Sequence, residues 1–215
     1  MTEHLPIWHE VEPLEKAELC FVIGNLQAGE LALPIIESPT FAIEHAHVIF
    51  LIAQGNPETP RDAVEAHKRG VLTAILRNDA AAAQIAVTDT VHVFTRESFI
   101  GIDFEDFRIL VANSTSTTLP HLVAGSATAN SQSNWSNALD FAVQRAEHVH
   151  VNCIRQSSGV LIIISFGKGC LSLATSKLIF NALRAKLNSE AFLLYGLTHD
   201  ESIGAAIRIT ILAAL

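Results

Sequence analysis

The sequence predicts an α/β fold with a parallel-sheet first half and a second half of sheet plus helices. Two observations carry that expectation. Residues 48–53 (Val-Ile-Phe-Leu-Ile-Ala) and 71–76 (Val-Leu-Thr-Ala-Ile-Leu) are apolar runs of strand length that flank a helical stretch. Strand, helix, strand within about thirty residues is a βαβ unit, whose strands pair in parallel. In the second half, Trp135, Ala138, Leu139, Ala142, Val143 and Ala146 recur at helical spacing and form one apolar stripe.

The remaining elements follow in order. Residues 19–23 (Leu-Cys-Phe-Val-Ile) read as a buried strand. The helix after the second strand should start with Thr59 as N-cap, Pro60 at its first position and Asp62 completing a variant capping box. Gly70 stops it. Val91-His92-Val93-Phe94 reads as a further short strand. A helix runs from Phe104 to about residue 111 with Asp103 as N-cap. Residues 113–133, rich in Ser, Thr, Ala and Asn, are expected to hold the rest of that helix and a loop. Residues 160–165 form a strand, followed by a turn at Phe166-Gly167-Lys168-Gly169. Ile179, Leu183 and Leu187 mark the inner face of a helix over 173–188. Residues 191–195 and 206–212 are the last strands. A domain boundary is placed near 96–103, dividing the chain into 1–99 and 100–215.

Of the 215 residues 49% are apolar and 17% charged, enough to bury a substantial core. The net charge of −8 and the scatter of only fourteen Lys and Arg argue against nucleic acid as a partner. No apolar run approaches the roughly 20 residues needed to span a bilayer. The first residues also lack the basic and apolar regions of a signal peptide. A soluble, cytoplasmic protein without membrane insertion is expected. Cys20, Cys153 and Cys170 show no paired spacing, so neither a disulfide framework nor a zinc site is expected. The H-x-H pairs His45/His47 and His148/His150 lack an accompanying acidic or cysteine ligand set, so no metal is expected. No G-x-S-x-G elbow supports a hydrolase.

The closing segment carries a family resemblance. Residues 195–213 (Tyr-Gly-Leu-Thr-His-Asp-Glu-Ser-Ile-Gly-Ala-Ala-Ile-Arg-Ile-Thr-Ile-Leu-Ala) resemble, without a gap, the end of the globular domain of the bacterial cell-division tubulin FtsZ. There a strand gives way to G-x-x-x-D, a D/E-x-x-G stretch and a last strand R-V-T-V-I-A. Gly196, Asp200, Gly204, Arg208 and Thr210 occupy the matching positions. Residues 159–164 (Gly-Val-Leu-Ile-Ile-Ile) are similar to the family's G-V-L-V-N-I strand. Gly101-Ile102-Asp103-Phe104-Glu105-Asp106-Phe107-Arg108 resembles its synergy loop, N-L-D-F-A-D-V-R, with Gly101 in place of the asparagine. The resemblance implies a tubulin/FtsZ-like fold with a reduced nucleotide-binding-like half (1–99) and an FtsZ-like C-terminal half (100–215). It implies interface roles for Gly101, Asp103, Asp106 and Arg108, with Asp103 and Asp106 acting in trans on a neighbour's nucleotide. It also implies FtsZ, or a second copy of the chain, as partner.

The first hundred residues match less well. Residues 46–55 and 70–74 are similar to the strands that flank the family's G-G-G-T-G-T-G phosphate loop. Between them this chain reads Asn56-Pro57-Glu58-Thr59-Pro60-Arg61-Asp62. The other phosphate loop survives at best as Gly24-Asn25-Leu26-Gln27-Ala28-Gly29. The family's long central helix has no visible counterpart before Gly101. Gly24, Gly29 and Gly55 are thus degenerate cofactor positions. No cofactor is expected, and GTP belongs only to the alternative of a divergent, polymerising GTPase. A homo-oligomeric structural module is the third reading.

The physical reason for that expectation lies in the loop chemistry. Phosphate loops need consecutive backbone N–H groups converging on the anion. Two prolines remove two donors, and Glu58 and Asp62 place like charge beside the phosphates. At about 4 Å and an effective dielectric of ~20, one such contact costs roughly 4 kcal/mol, half of the ~8 kcal/mol behind micromolar affinity. Calorimetry with GTP and GDP, with and without magnesium, should therefore show binding no tighter than about millimolar. A micromolar dissociation constant would promote the GTPase reading instead.

Overall fold

A computed structural model of the chain describes residues 7–11, 21–25, 47–53, 61–78, 80–95, 98–114, 118–167 and 171–215. The elements in chain order are β1 (Ile7–Val11), β2 (Phe21–Asn25), β3 (Val48–Ala53), α1 (Arg61–Lys68), β4 (Leu72–Arg77), α2 (Ala80–Thr95), β5 (Ser98–Ile100) and α3 (Phe104–Ala112). They continue as β6 (His121–Ala129), α4 (Trp135–Val149), α5 (Cys153–Gln156), β7 (Gly159–Phe166), α6 (Leu173–Arg184), β8 (Phe192–His199) and β9 (Ile207–Ala214). The strands form one sheet in the order β1-β2-β3-β4-β6-β9-β7-β8-β5. β2, β3 and β4 are parallel, as the βαβ pattern requires. In the second half β9 lies antiparallel between β6 and β7, and β8 runs parallel to β7. β4 pairs with β6 of the second half through Ile75↔His121 and Leu76↔Leu122, and β5, at the boundary, pairs with β8.

Three apolar layers hold the sheet. Ile49, Leu51 and Ile75 pack under Ala63 and Ala66 of α1. On the opposite face, Phe50 and Leu76 join Val87 of α2, Phe107 of α3, and Leu161, Ile163 and Leu212 from the second half. This layer takes side chains from both sides of residue 100. The third layer covers the other face of β6, β7 and β9 with α4 and α6. The expected stripe is present there, with Ala138, Leu139, Ala142, Val143 and Ala146 buried. Ile179 and Leu183 are likewise buried, while Leu187 lies just past the end of α6 and is half-buried. Cys153 is a buried small hydrophobe, and burial, reinforced by Glu147, pushes its thiol up to about 12. Cys20 and Cys170 lie outside the described residues.

Three expectations are corrected. Residues 91–94 are not a strand but the last turns of α2. The Ala80–Ala83 run starts a helix at the favourable end of the propensity scale, and burial of Val87, Val91 and Val93 carries it through the β-branched residues. The same sixteen-residue helix stands between the halves before Gly101, where no central helix was visible in the sequence. Residues 113–133 contain β6 rather than helix and loop. Its residues are small because α4 lies directly on it. A Cβ on Gly125 would sit 1.9 Å from the carbonyl oxygen of Ala142. The α1 helix ends as expected, with Gly70 at φ +95. Thr59, Pro60 and the phosphate-loop positions Gly29, Gly55, Pro57 and Glu58 lie outside the described residues.

Among the described residues no helix is long and apolar enough to cross a membrane. Leu183 is fully buried beneath α6, so Leu183→Ala should destabilise the protein by about 2–5 kcal/mol. Denaturant melting checks this, and a loss below about 1 kcal/mol would mean that this face of α6 does not pack into the core as described.

Candidate functional site

The loop between β5 and α3 presents the acidic motif. Asp103 has extended backbone, φ −70 and ψ 136, and its carboxylate accepts the Glu105 N–H at 2.7 Å. It is the N-cap of α3. Glu105 and Asp106 follow in the first turn, where the helix dipole favours negative charge. Arg108 donates to Glu105 at 3.2 Å, an exposed i,i+3 pair of little energetic weight. Gly101, Asp103, Asp106 and Arg108 are all exposed. A Cβ on Gly101 would meet nothing, so crowding does not demand glycine there. The structure thus brings the four expected interface residues together on one exposed helix start.

The inner side of α3 fixes that face. Phe107 packs 5.4 Å from Phe94 of α2 and 6.3 Å from Phe50 of β3, and Phe104 stands edge-on to Phe94. Gly196 of β8 lets the loop and α2 come close. A Cβ there would lie 2.5 Å from Val93 Cγ2 and 2.9 Å from Ile102 Cδ1. Glu105, Arg108 and Ile109 share a surface groove with Gly70, Val71 and Leu72, at the N-terminal end of β4. That groove lies about 20 Å, the length of a six-residue strand, from the C-terminal end of β4. The C-terminal ends of parallel strands are where open α/β sheets bind ligands. Gly24 lies within β2, opposite Trp8 and Leu51, as part of the ladder.

A second cluster lies in the interior, and its helical member was missed in the sequence. Asp89 on α2 is fully buried and receives Arg208 from β9 in a fork, Nε to Oδ2 at 3.0 Å and Nη2 to Oδ1 at 2.5 Å. Thr210 and Ser165 donate to the same carboxylate, and Ser126 bonds Thr210. Arg208 Nη2 also reaches Asp200 at 2.7 Å. Asp200 accepts in addition the N–H and hydroxyl of Ser202. Burial opposes its charge, yet the Ser202 and Arg208 hydrogen bonds outweigh burial and hold the carboxyl at about 2. Arg208 is shifted up: burial works against its charge, and the bonds and charge of Asp89 and Asp200 prevail.

Asp89, His92 and Asp200 offer ligand atoms within 4.8 Å of one another. The Arg208 guanidinium already bonds both carboxylates, so a metal ion would have to displace a buried cation. The cluster is built as an ion-paired clamp of α2 onto the second half of the sheet. Of the H-x-H pairs, His47, His148 and His150 are exposed, and His45 lies outside the described residues. The signal for the clamp was half visible. Asp200, Arg208 and Thr210 stood out in the closing segment, whereas Asp89 lies in a stretch that carried no helical expectation.

Solved structures with this fold are tubulin-like. An empty FtsZ dimer from M. jannaschii matches with a TM-score of 0.67 and 16% identity over 81% of this chain and 65% of that chain. An FtsZ W319Y mutant from M. jannaschii gives 0.56 and 18% over 81% and 48%. CetZ from Methanosaeta thermophila strain DSM 6194 gives 0.53 and 13% over 92% and 61%. The chain therefore spans between about a half and two thirds of the length of these chains. No protein-family model and no curated protein matches the sequence. The fold is tubulin/FtsZ-like.

The clamp makes stability depend on acid. The Asp200 carboxyl titrates near 2 when folded and near 3.8 otherwise. The stability it contributes is complete above about pH 4 and is lost as the pH falls toward about 2. That separation corresponds to roughly 2–3 kcal/mol. Asp200→Asn should cost about that much at neutral pH and flatten the acid limb of the stability–pH curve. Denaturant melts at a series of pH values measure both effects, and an unchanged acid limb refutes the assignment.

Proposed function

We propose that the chain is a tubulin-like protein that acts in the cytoplasm through head-to-tail, filament-type contacts with FtsZ or with a second copy of itself, without hydrolysing GTP. The observation that supports this reading best is the position of the acidic loop. Gly101, Asp103, Asp106 and Arg108 stand exposed together at the start of α3, and Arg108 with Glu105 lines a groove at the N-terminal end of β4, opposite the C-terminal ends of the parallel strands. A head-to-tail contact is heterologous and propagates only if every subunit carries both faces. The acidic face is recognisable in this chain, with Gly101 in place of the family's asparagine, while the sequence at the phosphate-loop positions carries Pro57, Glu58 and Pro60 in place of glycines. A subunit with one working face joins a filament end and blocks the next addition. The role that follows is that of a capper or modulator of FtsZ polymers in cell division.

Retention of both carboxylates favours the alternative of a divergent GTPase, in which Asp103 and Asp106 orient water on a partner's nucleotide. Asp103 already commits one oxygen to the helix cap, so Asp106 carries the larger share of any such role. Light scattering and electron microscopy of FtsZ polymers separate the readings. Substoichiometric chain should shorten the filaments without polymerising alone. Asp106→Lys with Arg108→Glu should abolish the shortening while circular dichroism and melting temperature stay near wild type. Unchanged scattering and filament length at equimolar chain would end the capping reading.

A further inference from the structure

The outward side of α2 is unusual for a helix facing solvent. Among its described side chains the exposed ones are Ala81, Ile85 and Thr88, while its one carboxylate, Asp89, is buried and its one basic side chain, His92, is half-buried. Solvent faces of helices ordinarily carry charge. Across from it, α4 exposes Phe141 (57%) and Val149 (39%), and Ile85 is itself 40% exposed. These three side chains wall one groove of about 490 Å³ between the helices. That volume lies within the ~300–1,000 Å³ range of small-molecule sites, which are mainly apolar with few polar groups.

The floor explains the groove's polarity. β6 pairs with β4 only as far as Leu122, so its outer edge beyond that point is covered by side chains instead of a strand. The Asn78 amide takes both the N–H and the carbonyl of Ala124, each at 2.7 Å. Arg145 of α4 directs Nη1 to the Ser126 carbonyl. A guanidinium carries five N–H donors, and this contact holds Arg145 at the foot of the apolar walls. Among the described residues Arg145 is the one charged side chain lining the groove, with His148 a turn away on the same helix face. On a chain of net charge −8, the groove is an apolar slot ending in a cation.

We propose that this groove binds a small amphipathic carboxylate, an acyl or aryl chain whose apolar body lies between Ile85, Phe141 and Val149 and whose carboxylate pairs with Arg145. Planar carboxylates match a guanidinium with two parallel hydrogen bonds. The α4 residues along the groove, 141–149, cover about 12 Å, the reach of a medium-length acyl chain. A second copy is the poorer occupant. An isologous contact would place the same surface on both sides and bring Arg145 toward its own image. The proposal stands independently of the filament reading.

Titration calorimetry of the full chain with sodium dodecanoate, below its micelle threshold, tests it. Dodecanoate should bind saturably at one site. Dodecan-1-ol and dodecyltrimethylammonium should bind at least about tenfold more weakly, as loss of one charge-assisted pair implies. Arg145→Gln should weaken dodecanoate by a similar factor and leave the alcohol unaffected. Ile85→Glu, at an exposed position that leaves the fold intact by circular dichroism, should abolish binding. Equal affinity for all three amphiphiles, or no saturable binding of dodecanoate, overturns the proposal. So does a dimer seen by light scattering that Ile85→Glu dissolves, because the groove then belongs to a second copy.

Discussion

Asp89 is a carboxylate with no solvent exposure, placed midway along the helix that joins the two halves of the sheet. Burying such a charge alone is prohibitive, and removing the partner of a buried pair typically costs about 3–5 kcal/mol. Here the forked guanidinium of Arg208 and the hydroxyls of Thr210 and Ser165 replace the water it gave up. The arrangement has one geometry. α2 must cross the second half of the sheet where β9 and β7 present those groups, and must do so with Asp89 facing inward. Arg208 in turn bonds Asp200, whose other contacts shape the turn between β8 and β9. The helix, the closing turn and the last strand are thereby placed relative to one another by one side chain.

Close packing then determines the composition around the clamp. α2 approaches β8 at Gly196, where a side chain would collide with Val93 and Ile102. α4 approaches β6 at Gly125, where a Cβ would enter the backbone of Ala142. The exposed acidic loop depends on the first of these approaches, because Ile102 lies one residue before Asp103 and is held by the same gap. A surface feature is in this way tied to the interior through one glycine.

Those glycines also account for what the sequence revealed and what it hid. The parallel strands, α1, the α4 stripe, α6 and the last strands follow hydrophobic periods that need no tertiary information. The Asp103 cap was legible because capping is local. β6 was not legible, since His-Leu-Val-Ala-Gly-Ser-Ala-Thr-Ala has the small residues of a loop and acquires strand character only beneath α4. The end of α2 was misread for the converse reason. Val91 and Val93 favour strands locally, and burial against both halves overrides that preference. Asp89 could not be singled out without the helix that carries it, so the buried half of the site became visible only when β9 was in place.

The narrow seam between β4 and β6 has a consequence for how the molecule comes apart. Two ladder pairs join β4 to β6, whereas β6 and β9 share eight. Backbone hydrogen bonding alone would let the halves open separately, as independent cooperative units. The layer formed by α2, Phe50, Phe107, Leu161 and Leu212 crosses that seam. Cooperativity between the halves is therefore carried by side chains. Amide hydrogens on the two sides of the seam should exchange with a common opening free energy, and that shared value reports on the side-chain layer more than on the ladder.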